Sequence, residues 1–314
     1  MLLITGASGF VGSALCGHIV AQDRPLRRVV RRASGEHDGH SQYVIPNIDD
    51  SVDWSTALAN VTHIVHLAAR VHLLVDQALD PLTEYRKVNV QGTVNLARQA
   101  AKAGIKRFVF VSSVKVNGES TKLGQPFTAH DTPAPEDPYG VSKYEAEQEL
   151  LRLARDVDME VVIVRPPLVY GLGVKANFER LMQWVSKGLP LPFGAITNNR
   201  RSLVALDNLV DLLIRCIDHP SAAGKIFMAS DGEDLSTKEL LQRLGGAMRR
   251  PVFLVPIPAS MLNWLANLIG QQNVASRLLG SLQVDISETR QLLEWSPVIT
   301  VDDALQQTVI GHVE

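Results

Sequence analysis

The chain has 314 residues with 31 basic and 33 acidic side chains, and its formal charge of −2 gives no reason to expect nucleic acid as its main partner. Hydrophobic residues at 46% and charged residues at 20% exclude a disordered chain, and the length suffices for one large domain or two ordinary ones. Two distant cysteines, Cys16 and Cys216, exclude a disulfide framework and fit a reducing compartment. Residues 1–6 do not read as a signal peptide and no apolar run is long enough to span a bilayer, so the expectation is a cytoplasmic protein without a membrane span. The longest apolar candidate, residues 261–269, contains Asn263 and Asn267 and reads as an amphipathic helix.

The first half alternates β-branched runs with helical patterns. Residues 2–5 read as a buried strand and 10–21 as the helix after it. Strands are expected at 28–31, 42–45, 63–67 and 107–113. Residues 82–103 carry apolar side chains at helical spacing and stop at Gly104. A second long helix is expected at 137–156, with Asp137 placed to cap it and Pro138 suited to its first turn. A strand follows at 160–164. This alternation predicts an α/β fold: a Rossmann-type doubly wound parallel sheet with right-handed crossovers. After Arg165 the rhythm breaks at Pro166, Pro167, Gly171 and Gly173. Helices are then expected at 177–187, 207–218, 236–247, 259–269, 287–293 and 301–309, with one short strand at 226–229.

Gly6, Gly9 and Gly12 lie between the first strand and the first helix, in a GxxGxxG spacing. Gly6 permits a tight turn, Gly9 lets backbone N–H groups approach a pyrophosphate, and Gly12 lets the helix pack on the strand. The helix N-terminus then adds partial positive charge for phosphates. Residues 1–165 therefore read as a dinucleotide-binding domain to which 204–230 returns. Residues 166–203 and 231–314 read as a smaller, mainly helical substrate-binding lobe. At the end of the second strand, where a carboxylate would hold the ribose of NAD(H), stand Arg31 and Arg32, with no carboxylate before Glu36. Two guanidiniums suit a 2′-phosphate and point to NADP(H) ahead of NAD(H). The 24–32 segment and the Arg200–Arg201 pair form basic islands, each expected to face a phosphate.

Tyr139 and Lys143, four apart, share one face of the 137–156 helix. A neighbouring ammonium lowers a phenol's pKa, so Tyr139 could exchange a proton with a carbinol oxygen while hydride moves at the adjacent carbon. Ser113, at a strand's C-terminal end, is placed to hydrogen-bond the same oxygen. His63 and His66 would point to opposite faces of their strand, and no metal site is expected.

With these residues the chain resembles the extended short-chain dehydrogenase/reductase family, in its nucleotide-sugar epimerase and dehydratase branch. The resemblance covers nearly the whole chain and rests on TGASGFVG at 5–12, HLAA at 66–69, NVQGT at 89–93, FVSS at 110–113, YGVSK at 139–143, RPPLVYG at 165–171 and RRSLVALDNLVD at 200–211. It implies Ser113, Tyr139 and Lys143 as the catalytic set. It implies cofactor contacts at Gly6, Ser8, Gly9, Phe10, Val11, Gly12, Leu67, Ala68, Ala69, Asn89 and Pro166. Asn47 and Ile48 stand where the family has an Asp–hydrophobic pair against adenine. In the substrate lobe Arg201 matches a diphosphate-clamping arginine, Arg277 is a second possible clamp, and Asn177 opens a helix suited to a phosphate. Leu168 departs from the phosphate-binding Asn of many sugar epimerases. A homodimer through the two long helices would be family-like.

Ser113, Val114 and Lys115 stand where sugar dehydratases carry Thr-Asp-Glu, so no acid is available there to protonate a leaving hydroxyl. Lys115 itself is either a solvent-facing turn residue or a contact to substrate. SSVKVNGE at 112–119 and the 189–211, 230–237 and 280–287 stretches resemble bacterial enzymes that reduce UDP-4-keto-6-deoxy-N-acetylglucosamine to UDP-N-acetylquinovosamine for surface polysaccharides, often labelled UDP-glucose 4-epimerase. The expected function is that 4-keto reduction on a UDP-sugar. The alternatives are a UDP-hexose 4-epimerase, a reductase of non-nucleotide carbonyls and a non-catalytic NADP sensor.

Overall fold

In the computed structural model, which describes residues 1–33, 41–71 and 80–310, the apolar runs become strands whose side chains are largely buried on both faces, except in the edge strand at Ser41–Val44. The strands are β1 (Leu2–Thr5), β2 (Leu26–Val30), β3 (Ser41–Val44), β4 (His63–His66), β5 (Arg107–Val111), β6 (Glu160–Arg165), β7 (Leu168–Tyr170), β8 (Arg201–Ala205), β9 (Ile226–Met228) and β10 (Asp234–Leu235). Seven form one parallel sheet in the order β3-β2-β1-β4-β5-β6-β9. The chain starts at the centre with β1, winds outward to β3, then crosses back to β4. Thr5 thus pairs with His66 across the point where the winding reverses. A crevice opens there beyond the carboxyl ends of the strands.

The helices of the first half are α1 (Phe10–Ala21), α2 (Ser55–Leu58), α3 (Pro81–Tyr85), α4 (Thr93–Lys102) and α5 (Pro138–Asp156). The sheet is covered on one side by Leu15, Ile19 and the α7 segment (Leu206–Asp218), and on the other by Trp54, Leu96, Ala100, Ala146 and Leu150. The single helix expected at 82–103 is instead α3 and α4 joined by a π-helical stretch, Arg86–Gly92. Gly92 lies so close to Ile48 that a Cβ there would meet its Cγ2 at 2.7 Å, and Asn89 turns inward to bond the backbone of Arg70. Wider turns of this kind re-aim side chains at functional sites. The second strand ends at Val30, one residue before Arg31, because its register is set by Leu26 opposite Leu2.

The later helices are α6 (Ala176–Ser186), α7, α8 (Thr237–Ala247), α9 (Ala259–Leu268), α10 (Gln272–Leu279), α11 (Ser287–Leu293) and α12 (Val301–Ile310). This part is less purely helical than expected, since β7, β8 and β10 form a second, three-stranded sheet. Buried Asp231 holds that sheet together. It accepts hydrogen bonds from the Tyr170 hydroxyl (2.8 Å), the Ala205 N–H (2.7 Å) and the Asn208 amide (2.8 Å). Such short strands depend on a partner formed far away in sequence, and α10 likewise escaped the pattern reading. Within 204–230, β9 joins the main sheet through β6 and α7 lies against α1, whereas the end of β8 belongs to the small sheet. Leu282, Val284, Ile286, Leu293 and Trp295 also pack into the core cluster of the main sheet.

Candidate functional site

A cleft of about 730 Å³ lies over the carboxyl ends of β1, β4, β5 and β6. Gly6 enters it with φ +67°, a conformation open to glycine and strained for other residues. A Cβ on Gly6 would meet the Ala68 nitrogen at 2.8 Å, and one on Gly12 would meet the Gly6 carbonyl oxygen at 2.1 Å. The turn therefore requires both glycines. Gly9 precedes α1 without any side-chain cap, so the first N–H groups of a twelve-residue helix face the cleft unobstructed. Ser8, Phe10 and Val11 line the same wall, with Leu67, Ala68 and Ala69 opposite. Arg31, Asn47 and Ile48 close one end, and Pro166 the other.

Beneath this wall, buried His66 bridges β1 and α4. Its Nδ1 lies 2.7 Å from the Thr5 hydroxyl and its Nε2 3.0 Å from the Thr93 hydroxyl. The Thr5 oxygen also accepts from the Ala68 N–H at 3.2 Å, tying the imidazole to the loop after β4. Burial, helped by the charge of Lys143, lowers the His66 pKa to about 3 and keeps the ring neutral.

Ser113, Tyr139 and Lys143 all line the cleft. Ser113 ends the β5 region and caps a short 3₁₀ turn, Val114–Val116, its Oγ accepting from the Lys115 N–H at 3.2 Å. Asp137 caps α5, accepting from the Gly140 N–H at 2.6 Å, and Gly140 fits only because it lacks a Cβ that would strike the Lys115 carbonyl. Tyr139 and Lys143 then project from the first turns of a helix anchored at its start. The Lys143 ammonium lies 4.1 Å from the Phe110 ring centroid. Burial lowers its pKa to about 7 against the opposing charge of Glu147. Glu147 is itself buried and forms an ion pair with Arg165, whose Nη1 donates to the Asn117 side chain at 3.1 Å.

The phenol of Tyr139 departs from the sequence expectation. Desolvation in the cleft pushes its pKa up, and the charge of Asp137 and the neighbouring Tyr85 add to the rise. Lys143 does not overcome this in the protein alone, so Tyr139 rests as a neutral acid.

Other expected contacts stand elsewhere. Arg32 is exposed and does not line the cleft. Of the same basic segment, Arg24 is engaged by Asp218 at 2.7 Å and Arg27 by the Thr56, Ala57 and Ala59 carbonyls, so neither faces a phosphate. Asn89 bonds the Arg70 backbone and the Ser142 hydroxyl, bracing the cleft from behind. Lys115 is neither turned to solvent alone nor in the cleft: its ammonium pairs with Asp137 and with Glu119 at 2.6 Å. Asn177 lies in the first turn of α6, outside the cleft, and Leu168 is exposed. Arg200 donates to the Thr197 and Asn199 carbonyls and to Glu239.

Arg201 starts β8 and Arg277 lies on α10, and neither lines the cleft. Desolvation and the charge of Arg277 lower the Arg201 pKa to about 10, with Glu119 opposing. Arg201 donates to the Gly280 carbonyl at 3.3 Å, and among the described residues no carboxylate forms an ion pair with either guanidinium. Sequence reasoning missed Ser112, Pro167 and Val169 in the cleft wall. Among the described residues the buried Ser112 hydroxyl has no hydrogen-bond partner, and its signal was only its place beside Ser113 at the strand end.

Residues 2–229 match the model of the NAD dependent epimerase/dehydratase family. A UDP-glucose 4-epimerase of Vibrio cholerae is 49% identical over 314 residues, covering 100% of this chain and 95% of its own. An N-acetyl-alpha-D-glucosaminyl-diphospho-ditrans,octacis-undecaprenol 4-epimerase of Escherichia coli O157:H7 is 28% identical, over 83% of this chain and 77% of its own. The solved UDP-glucose 4-epimerase of Thermotoga maritima with UDP-glucose superposes with a TM-score of 0.77 at 20% identity, covering 99% of this chain and 98% of that one. At that identity the likeness is one of fold.

Proposed function

Since the chain belongs to the NAD-dependent epimerase/dehydratase family, we propose that it is a nucleotide-sugar enzyme that inverts C4 of a UDP-hexose. The observation that carries this reading is the 49% identity, across the full chain, to a relative named UDP-glucose 4-epimerase. The cofactor-side residues fit a dinucleotide: Gly6 and Gly12 leave no room for a Cβ, and α1 offers uncapped N–H groups. NAD held by this cradle would supply the hydride acceptor and donor for the sugar C4. Ser113 hydrogen-bonds the C4 oxygen. Tyr139 takes the hydroxyl proton as that oxygen becomes a carbonyl and gives it back on return. The Lys143 charge stabilises the phenolate in between. Arg201 and Arg277 clamp the diphosphate, so that the sugar can turn its other face to the hydride while its anchor stays fixed. Residues 1–165 with 204–230 supply the cofactor half in this reading, and residues 166–203 with 231–314 supply the clamp. Two copies pair through the faces of α4 and α5.

Incubation of the purified protein with NAD and UDP-glucose, without added reductant, is expected to yield UDP-galactose. A second reading is favoured by one observation: Arg31 lines the cleft where a 2′-phosphate would lie. On that reading the enzyme uses NADPH to reduce UDP-4-keto-6-deoxy-N-acetylhexosamine to UDP-N-acetylquinovosamine. Oxidation of NADPH by that keto sugar, with no interconversion of UDP-hexoses, would replace the first reading with the second.

A further inference from the structure

Helix α9 packs into the small-lobe core through Leu262, and Ala266 is buried on the same side. A helix with one buried stripe ordinarily turns polar residues outward. Here Met261, Trp264, Leu265 and Leu268 fall at i, i+3, i+4 and i+7 and form a second apolar stripe, facing solvent. Trp264 is 59% exposed and Leu268 64%. Ile269, directly after the helix, is 70% exposed, and Phe253 in the segment before it is 58% exposed. Contiguous apolar surface of this kind on a folded protein marks an interaction site.

The charges around the patch say what kind. No Asp or Glu occurs between Glu239 and Asp285, whereas Arg243, Arg249, Arg250 and Arg277 do, in a chain whose formal charge is −2. Arg243 is paired with Glu233 and Asp302, whereas Arg249 and Arg250, in the segment leading into α9, are exposed. Helix α9 itself carries no charge. An uncharged helix with an outward stripe of Trp, Met and Leu, flanked by arginines and free of carboxylates, has the chemistry of a segment lying in the interface of an anionic bilayer. No helix among the described residues is long and apolar enough to cross a membrane, so the contact would be one-sided.

We propose that the α9 face docks on the surface of membranes containing anionic lipid. Helix α10, which carries Arg277, packs directly on α9, so docking places the diphosphate clamp next to the bilayer surface.

Flotation with vesicles tests this. Wild-type protein is expected to float with phosphatidylcholine vesicles containing phosphatidylglycerol, weakly or not at all with phosphatidylcholine alone, and less as salt rises. Trp264 emission should shift to the blue, because Trp54 and Trp295 are already buried and Trp184 is packed against the small-lobe core, stacked on Phe193. The double variant Trp264→Glu/Leu268→Glu should bind at least about tenfold less, while keeping the wild-type melting temperature and turnover of a soluble nucleotide sugar. No flotation with anionic vesicles overturns the proposal. So does undiminished flotation of the double variant, which would put the contact on another face. So does concentration-dependent self-association that the double variant abolishes without vesicle binding, which would make a second copy the occupant. These outcomes do not depend on which sugar reaction the cleft performs.

Discussion

The two polar walls of the molecule treat charge in opposite ways. On the α5 wall two cations are matched within the protein: Arg165 by Glu147 and Asn117, and Lys115 by Glu119 and Asp137. In the small lobe the charge of Arg277 acts on Arg201, and no carboxylate is paired to either among the described residues. Paired charges hold a structure, whereas like charges held together store a demand for an anion. The first wall should therefore respond to mutation as stability and chemistry, and the second as ligand affinity.

The largest effect is expected from Tyr139→Phe, which removes the proton carrier but little volume. Turnover should fall about 10²–10⁴-fold with an unchanged melting temperature, measured by sugar interconversion and thermal denaturation. An unchanged biological role with no turnover would favour a sensor.

Glu147→Ala strands the buried Arg165 guanidinium and should cost about 3–5 kcal/mol of stability in urea denaturation. Replacing both partners with apolar residues should recover much of it.

His66 gives the pH dependence of the fold. Its ring stays neutral in the protein down to about pH 3, whereas the unfolded imidazole takes up a proton below about 6.5. The unfolded state then binds more protons, so stability is full above pH 6.5 and is lost progressively as pH falls toward 3. His66→Gln should flatten that part of the stability curve relative to wild type.

Arg201→Ala should weaken UDP binding by roughly 10–100-fold, as expected for losing a charged hydrogen bond, without lowering the melting temperature, since it strands no buried carboxylate. Titration calorimetry with UDP checks it, and equal binding by the variant would remove the clamp from the second wall. The smallest effect is expected from Arg31→Ala, which should leave NAD affinity within a few-fold and weaken only NADP. A large loss with NADP would sharpen the case for reduction.

Much of the cofactor wall was legible because its signals are local. The glycine spacing at 6, 9 and 12 fixes a turn and a helix start within eight residues, and Asp137-Pro138 announces the helix that carries Tyr139 and Lys143. The small sheet was not legible: Leu168–Tyr170 and Arg201–Ala205 are too short to show a period, and they become strands only because Asp231 and each other lie beside them. The direction of the Tyr139 shift was also out of reach, since four-residue spacing shows the ammonium but not the desolvation or the approach of Tyr85. The amphipathic reading of residues 261–269 was local and correct in kind, yet which face would be left uncovered depended on where Leu262 and Ala266 found their partners. By itself the sequence determined the alternation of strands and helices, the cradle and the place of Ser113, Tyr139 and Lys143 in the cleft, because period, turn chemistry and capping act over a few residues. Only the tertiary structure decided which charges are matched, which are left for a ligand and which apolar side chains stay in water, because burial and pairing depend on groups distant in the chain.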